Sequence, residues 1–427
     1  NLRGFRPPMT VNVTRLDNGL TVATDNMPDV ETVSLGAFVG VGTRHEPKEL
    51  NGVAHLLEHM AFKGTAKRSA RDIAEEIEAV GGQLNAYTGR ESTAFYAKVL
   101  KEHAGIALDI ISDILLNARI DSDELQRERQ VVLQEIGQAA DTPDDIIFDL
   151  FQETAFPDQG VGRPILGRPD VVSTLTAEDL RDYMRHYYGA QHMVVAAAGK
   201  IDHDSFVDMV RKAFTDLPGG SAATGERAVY GGGDYRENRE LEQVHVILGF
   251  SGVGYQDEDY YTASVLATLL GGGMSSRLFQ KIREERGLVY TIFAFHGSAV
   301  DSGLFGIYAG TGADDVAELI PVVCDEIRDV ARQVDAAELD RARAQLKASI
   351  LMNQESTSGR CEQLANQLLI YNRPIPPEEI VEKVDDVDAA AVQRLAARLA
   401  ASRPTLTSLG PVDRVAAYDT VAERFAA

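Results

Sequence analysis

Hydrophobic and polar residues alternate along the first part of the chain in a way that predicts strands separated by helices. Residues 32–44 are rich in β-branched side chains at alternating positions, and residues 87–100 have the same character around a turn, so both segments predict strands. Between them, Ser69 followed by Asp72 predicts the capped beginning of a helix over residues 70–80, which two glycines end. This part of the chain therefore mixes strands and helices.

A longer helix is predicted farther along the chain. It begins at Asp121 and Ser122 and runs to Gln138, and the acidic residues of its first turn interact favourably with the helix dipole. Strands that pair through turns, with helices between them, are typical of α+β domains rather than of a doubly wound parallel sheet.

Two short motifs occur twice in the chain at nearly the same separation. Gly-Ala-Phe-Val-Gly-Val-Gly at 36–42 corresponds to Leu-Gly-Phe-Ser-Gly-Val-Gly at 248–254, and Glu-Leu-Gln-Arg at 124–127 corresponds to Glu-Leu-Asp-Arg at 338–341. Repeats with a constant separation indicate a duplicated unit. We therefore predict an α+β fold of two homologous domains, each an antiparallel-rich sheet with helices packed on one face.

A change of composition marks the boundary between the two copies. Residues 217–234 contain many glycines and other small residues and show no hydrophobic periodicity, which is typical of a linker. We predict a first domain over residues 1–216, this linker, and a second copy of the fold over residues 235–427.

Charge and composition exclude several classes of partner and site. The 427 residues carry a formal net charge of −23, which repels the phosphates of nucleic acids and anionic lipids. No apolar stretch has the length of a transmembrane helix. The two cysteines, Cys324 and Cys361, belong to no Cys-x-x-Cys pair, so thiolate zinc sites are excluded. We expect neither nucleic acid nor a membrane as a partner.

The sequence His-Leu-Leu-Glu-His at 55–59 carries the candidate chemistry. On a helix, His55 and His59 are one turn apart on the same face, so their imidazoles can bind one metal ion, and Glu58 lies beside them. The order His-x-x-Glu-His is the signature of the inverted zincins. The alternative is a packed helix with three polar side chains, and burying such groups without partners is unfavourable. The pattern predicts a zinc site.

A catalytic zinc site needs a third protein ligand, and the long predicted helix offers two candidates. Glu128 and Glu135 are two helical turns apart and therefore lie on one face. Either carboxylate could bind the ion while the other supports its ligands. An exposed acidic stripe is the alternative interpretation, and spacing alone does not choose among these three.

Residues 16–138 resemble the catalytic half of the pitrilysin family of zinc metallopeptidases. The resemblance is strongest to the β subunit of mitochondrial processing peptidase and its bacterial relatives. It rests on the motif at 55–59 and on Gly-Gly-Gln-Leu-Asn-Ala-Tyr-Thr at 81–88. It continues through residues 178–188 and through Gly-Leu-Val-Tyr-Thr at 287–291, so it covers nearly the whole chain.

This resemblance implies a site for one zinc ion per chain. In the family the two motif histidines and a glutamate at the position of Glu135 bind zinc, and Glu128 takes the position of a supporting glutamate. Asn85 and Ala86 fall in the edge strand that holds the peptide substrate, with a plain turn-to-strand junction as the alternative. Some members bind the substrate carbonyl with an Arg and a Tyr of the second half. Here Phe305 occupies the Arg position, so either a partner chain supplies the pair or the enzyme works without it.

The second copy of the fold lacks every candidate zinc residue. Alignment of the repeats places Ala267 and Leu270 opposite the first histidine and the glutamate of the motif, and Ala342 and Ser349 opposite the two helix glutamates. The motifs typical of the fold occur in both copies, whereas the candidate ligands occur in only one. This difference predicts a metal site that was added to one copy of a shared scaffold. The second copy is then an inactive wall of the substrate chamber.

Together these features predict a zinc metalloendopeptidase that hydrolyses peptides or removes presequences. Glu58 is expected to act as general base toward a water molecule, or alternatively to support an imidazole. The acidic composition predicts a basic peptide substrate, although solubility alone also explains such charge. Because half-length members of the family pair two chains around a chamber, we expect a homodimer or a heterodimer with a zinc-free sibling.

A rival interpretation is a non-catalytic structural or partner subunit of the same fold. Such subunits typically have eroded zinc motifs, whereas the motif at 55–59 and Glu135 are intact here. A different metal-dependent hydrolase is a further alternative, which a peptide-cleavage assay would separate. We expect a bacterial cytoplasmic location, with the periplasm and the mitochondrial matrix as alternatives.

Overall fold

A computed structural model of the chain describes residues 10–220 and 225–426, so residues 221–224 of the predicted linker lie outside the described part. The strands, numbered in chain order, are β1 (Val11–Arg15), β2 (Thr21–Asn26), β3 (Thr32–Val39), β4 (Gln83–Thr88), β5 (Thr93–Leu100), β6 (Met193–Gly199), β7 (Gly233–Asn238), β8 (Val244–Ser251), β9 (Val289–Ser298), β10 (Gly303–Thr311) and β11 (Thr405–Gly410). The α-helices are α1 (Val53–Ala61), α2 (Ala70–Ala79), α3 (Ala104–Asn117), α4 (Ser122–Ala140), α5 (Pro143–Ala155), α6 (Pro169–Val172), α7 (Ala177–Tyr187), α8 (His203–Ala213), α9 (Tyr260–Gly271), α10 (Val316–Arg332), α11 (Ala336–Asn353), α12 (Thr357–Tyr371), α13 (Pro377–Asp385), α14 (Ala389–Ala400) and α15 (Tyr418–Glu423).

Two sheets repeat one strand order. The first has the order β1-β2-β6-β3-β5-β4 and the second β7-β11-β8-β10-β9, so the last five strands of the first sheet correspond one to one with the second. In each sheet one neighbouring pair is parallel, β2 with β6 and β7 with β11, and the other pairs are antiparallel. The predicted fold class, two homologous antiparallel-rich α+β domains, is confirmed.

By packing, the chain divides into two compact units, and each unit contains segments from both halves of the sequence. The first consists of Asn1–Ile136, Pro164–Gly225 and Met352–Ile375, and the second of Gly137–Arg163, Glu226–Leu351 and Pro376–Ala427. Helix α12 therefore belongs to the first unit and helix α5 to the second. The predicted consecutive domains, 1–216 and 235–427, describe the two copies in the sequence, and their bounds stay a prediction. The compact units differ from them because α5 and α12 each pack with the sheet of the other copy.

The first sheet is covered by helices on both faces. On one face, Leu35 of β3 is fully buried in a core shared with α1, α3 and α8. On the other face, Phe38 of the same strand packs against Cys361 and Leu364 of α12. The second face needs cover because β6 is apolar along its whole length, which is typical of strands buried on both sides. Sequence analysis predicted helices on one face, and α12 adds this further layer.

The second sheet is built in the same way. One face packs against α9, α10 and α14, and the other face packs against Ile147 and Phe151 of α5. Although these helices bury large apolar surfaces, no helix in residues 10–220 and 225–426 combines the length and apolar content that crossing a membrane requires.

Local elements form where the pattern predicts them, with differences at their ends. The strand predicted over 32–44 is β3, which ends at Val39 because the chain then enters a short 3₁₀ turn at Thr43–His45. The helix predicted over 70–80 is α2, and the Ser69 hydroxyl accepts the N–H of Asp72 at 3.1 Å. The helix predicted to end at Gln138 is α4, which continues to Ala140.

Candidate metal centre

The beginning of α1 is held by a buried carboxylate that sequence analysis missed. Glu46 is 2 % exposed and accepts hydrogen bonds from the N–H groups of Gly52 and Ala54, at 3.0 and 2.8 Å, and from the side-chain amide of Asn51 at 3.0 Å. These bonds satisfy N–H groups that a helix leaves free at its first turn, and they place a negative charge at the positive end of its dipole. The helix that carries the candidate ligands is therefore fixed at its N-terminus.

Three of the candidate residues converge on one point. The Nε2 atoms of His55 and His59 lie 3.7 and 3.4 Å from the same oxygen of Glu135, Oε2. The ligand atoms of the three residues all lie within 4.8 Å of one another. The two histidines are one turn apart on α1, and Glu135 comes from α4, so the group depends on the packing of two helices. The structure thus brings His55, His59 and Glu135 together.

Glu128 lies behind His59 rather than in this group. Its Oε2 atom is 3.2 Å from Nδ1 of His59, while its Oε1 atom is 2.6 Å from the ammonium of Lys63. A hydrogen bond from Nδ1–H to this carboxylate leaves the Nε2 lone pair of His59 free to bind a metal. The side chain of Glu128 is 10 % exposed and that of Glu135 is 40 % exposed, so only Glu135 faces an open position. Lys63, which balances the charge of Glu128, was also missed by sequence analysis.

The histidine and carboxylate donors fit a zinc ion. Burial, and next the charge of His59, lower the pKa of His55 to about 4, so its imidazole is neutral near pH 7. Its Nδ1 atom is buried and has no hydrogen-bond partner in the described residues, so only Nε2 is engaged by a neighbour. Two imidazoles and one carboxylate form one of the three-ligand sets of catalytic zinc sites.

Glu58 occupies a separate position beside the group. Its Oε2 atom accepts a hydrogen bond from the hydroxyl of Thr88 at 2.6 Å. Burial raises the pKa of Glu58, and the hydrogen bond from Thr88 partly opposes this effect. A half-buried carboxylate with a raised pKa is better suited to exchange protons near neutral pH. Thr88 was not singled out from the sequence, although it belongs to the segment at 81–88 that carried the family resemblance.

Asn85 and Ala86 lie in β4, the last strand of the first sheet. The strand pairs with β5 on one side, so in the described part of the chain its other edge is open for an added strand. The side chain of Asn85 is exposed, and its Oδ1 atom accepts the N–H of Ala86 at 2.9 Å. Asn85 is thus available at a sheet edge, whereas the side chain of Ala86 is buried in the core, and the role of both residues toward substrate stays a prediction.

The second copy carries small or apolar residues where the first carries its metal ligands and the residues that support them, and the serine opposite Glu135, Ser349, is exposed. Ala267 and Leu270 are buried in α9, and Ala342 is buried in α11. Phe305, which sequence analysis placed at the position of the arginine expected from the family resemblance, is 2 % exposed within β10. The second sheet thus repeats the strand order of the first with none of the metal-binding side chains at the corresponding positions.

Comparisons with known proteins agree with this geometry. The family described as "Insulinase (Peptidase family M16)" matches residues 21–169, and the one described as "Peptidase M16 inactive domain" matches residues 174–346. The chain belongs to peptidase family M16. This confirms the family predicted from the inverted motif. The first match includes the motif at 55–59 and both helix glutamates, and the second lies in the part that lacks them.

Several M16 relatives are similar over almost their whole length. A protein of Rickettsia felis named "Uncharacterized zinc protease" is 40% identical over 403 residues, covering 94% of this chain and 98% of the relative. A zinc protease of Bacillus subtilis is 37% identical over 396 residues, covering 92% and 97%. An Arabidopsis thaliana protein named "Probable mitochondrial-processing peptidase subunit beta, mitochondrial" is 37% identical over 428 residues, covering 96% and 80%.

Solved structures share the M16 fold at lower sequence identity. A chain of "Complex III2 from Candida albicans" has a TM-score of 0.87 at 22% identity, covering 97% of this chain and 99% of that one. A protease from Helicobacter pylori has the same TM-score and identity, covering 93% and 99%. Since identities of this size show the fold alone, the functional argument rests on the site.

Proposed function

We propose that this chain is an active zinc-dependent endopeptidase. The observation that carries the proposal is the convergence of the Nε2 atoms of His55 and His59 on one oxygen of Glu135, with Glu58 beside them as a separate carboxylate. The names of the M16 relatives, zinc proteases and a processing-peptidase subunit, support the same chemistry.

The proposed mechanism is hydrolysis of a peptide bond. His55, His59 and Glu135 would hold a zinc ion, which when bound supplies polarisation of the scissile carbonyl and lowers the pKa of water. Glu58 takes a proton from the attacking water molecule and later delivers it to the leaving amine. Thr88 orients the Glu58 carboxylate through the hydrogen bond to Oε2.

The open edge of β4 is the proposed substrate-binding strand. An extended peptide would add to this edge through backbone hydrogen bonds, and Asn85 and Ala86 would orient it. We expect Asn85→Ala to lower kcat/KM about tenfold, the loss typical of one or two hydrogen bonds, without unfolding the chain. Steady-state kinetics and a thermal unfolding curve would measure both quantities, and an unchanged kcat/KM would exclude a substrate role for Asn85.

The quaternary arrangement follows from the same proposal. We propose that two chains enclose a chamber, either as a homodimer or with a zinc-free sibling, and that the second copy forms an inactive wall. The net charge of −23 supports a basic peptide substrate. Light scattering of the purified chain would test for the homodimer, and fractionation of bacterial cells would test the expected cytoplasmic location.

The decisive experiment combines metal analysis with peptide cleavage. We expect one zinc ion per purified chain, complete loss of peptidase activity with a chelator, and recovery when zinc is added back. A mixed peptide library read by mass spectrometry avoids assuming a cleavage rule. A chain that binds zinc but cleaves no peptide in the library would contradict the proposal and favour the non-catalytic subunit.

A further inference from the structure

The first unit contains a cavity on the face of its sheet opposite the metal ligands. Its volume is about 200 Å³, and it lies between α12 and the strands β3, β4 and β5. Its walls are formed by the side chains of Phe38, Tyr87, Tyr96 and Cys361, with Glu362 at the side of the helix. Because ligand pockets for drug-sized molecules start at ~300 Å³, a cavity of this volume suits a single side chain.

The strand position beside Tyr96, which lines the cavity, is occupied by a glycine. Gly36 of β3 is the sheet neighbour of Tyr96, and a Cβ atom at Gly36 would lie 2.8 Å from that of Tyr96. Any larger residue would therefore collide with the tyrosine and occupy this face of the sheet. The wall residues Phe38 of β3 and Cys361 of α12 are 2 % and 3 % exposed, so this part of the wall is closely packed.

An acidic group stands at the rim of this apolar space. Glu362 is exposed, interacts with the hydroxyl of Tyr87, and forms no ion pair with a lysine or arginine of the described residues. A carboxylate accepts several hydrogen bonds, so the bond from one hydroxyl leaves it free to accept more. The rings of Tyr87 and Tyr96 have their centroids 6.1 Å apart. A cationic group, or the methylene groups that carry it, can pack against the faces of these rings.

The cavity adjoins the edge strand proposed to bind substrate. Tyr87, which lines it, is the residue of β4 that follows Asn85 and Ala86 and precedes Thr88. Because side chains of a strand alternate between faces, Thr88 contacts Glu58 on the metal side while Tyr87 points to the α12 side. A peptide added to this edge would alternate in the same way. Every second side chain of the peptide would therefore face α12.

We infer that this cavity is a substrate subsite that binds the side chain of an arginine or lysine in a peptide lying on the β4 edge. The inference rests on the proposed endopeptidase function and adds a specific location for basic recognition. The methylene groups pack against Tyr87, Tyr96 and Phe38, and the charged end pairs with Glu362. An apolar stem with a cationic end matches both parts of the cavity, whereas a purely apolar side chain would leave the carboxylate unpaired.

The test uses peptides that the wild-type enzyme cleaves. At each position flanking the scissile bond, arginine is compared with citrulline, its neutral isostere, by measuring kcat/KM. We expect the wild type to prefer arginine about fivefold at one position, the effect typical of a partly exposed charge-assisted contact. Glu362→Gln should abolish that preference, and Glu362→Lys should reverse it in favour of glutamate. As a control, Glu78→Gln removes an exposed carboxylate of α2 and should leave the preference unchanged.

The possible failures are distinguishable. Cleavage of the peptides with the same arginine-to-citrulline ratio in wild type and in both Glu362 variants would overturn the subsite while leaving the endopeptidase intact. A preference for leucine over arginine at the position affected by Glu362→Lys would show an apolar subsite and also overturn the inference. Zinc-loaded wild type that cleaves no peptide would instead contradict the proposed function itself.

Discussion

Glu58→Gln should leave zinc bound and lower kcat by about 10²–10⁴-fold, the contribution typical of a positioned general base. Glutamine has nearly the shape of glutamate and can still accept the hydrogen bond from Thr88, but it cannot accept a proton from water. Because Glu58 is not among the three converging ligands, its replacement removes no metal-binding atom. Metal analysis and single-turnover cleavage of one peptide would measure the two quantities separately.

A variant of Thr88 helps to distinguish a general-base role of Glu58 from a role in supporting the metal ligands. Thr88→Val removes the hydroxyl that orients Glu58 and keeps the carboxylate, so we expect a smaller loss of about tenfold in kcat. If Glu58→Gln retained zinc, remained folded and cleaved at nearly the wild-type rate, the general-base assignment would be wrong. A loss of zinc in Glu58→Gln would assign the residue to support of the ligands.

Glu135→Gln and Glu128→Gln are expected to differ strongly in zinc affinity. Glu135 offers its oxygen to both Nε2 atoms, so its loss removes one of three ligands and should weaken zinc binding by about 10³-fold or more. Glu128 contacts only Nδ1 of His59, and loss of such a supporting hydrogen bond typically weakens binding by ~10–100-fold. Competition with a fluorescent zinc chelator would measure both affinities.

The controls use the same helix. Asp123→Asn removes an exposed carboxylate from the first turn of α4 and should leave zinc affinity unchanged. Unfolding curves of the metal-free variants would show whether the helix is intact, since the second copy folds with Ala342 and Ser349 at the corresponding positions. Equal affinities of the Glu135 and Glu128 variants would contradict the assignment of the third ligand.

Much of the fold followed from local pattern. The capped helix after Ser69, the long helix after Asp121 and the strand that begins at Thr32 all depend on residues close together in the chain. The predicted ends of these elements were less accurate. The strand β3 ends earlier than predicted, where the chain turns, and α4 continues two residues beyond its predicted end. The packing of α12 on the first sheet and of α5 on the second was not predicted, since hydrophobic periodicity does not state which sheet a helix covers.

The candidate site was predicted in part for the same reason. His55 and His59 were predicted to share a face because a helical turn relates them, and their rings lie 4.8 Å apart. Thr88 was missed because it contacts α1 from a strand 30 residues farther along the chain, and Glu46 was missed because its burial before α1 depends on tertiary packing. A buried acid shortly before a helix is a usable signal for such a cap, but sequence alone does not reveal that it is buried.

Sequence alone predicted the repeated α+β fold and the side chains able to bind a metal, because periodicity, capping and one-turn spacing are relations between near neighbours. The peptidase family came from the resemblance of its motifs to those of known members. Spacing alone left the choice between Glu128 and Glu135 open, since both lie on one face of α4, and the family resemblance favoured Glu135. Packing of α4 against α1 brings Oε2 of Glu135 to both Nε2 atoms and Glu128 to Nδ1. Contacts between residues distant in the chain follow from how the helices pack, which no short stretch of sequence encodes.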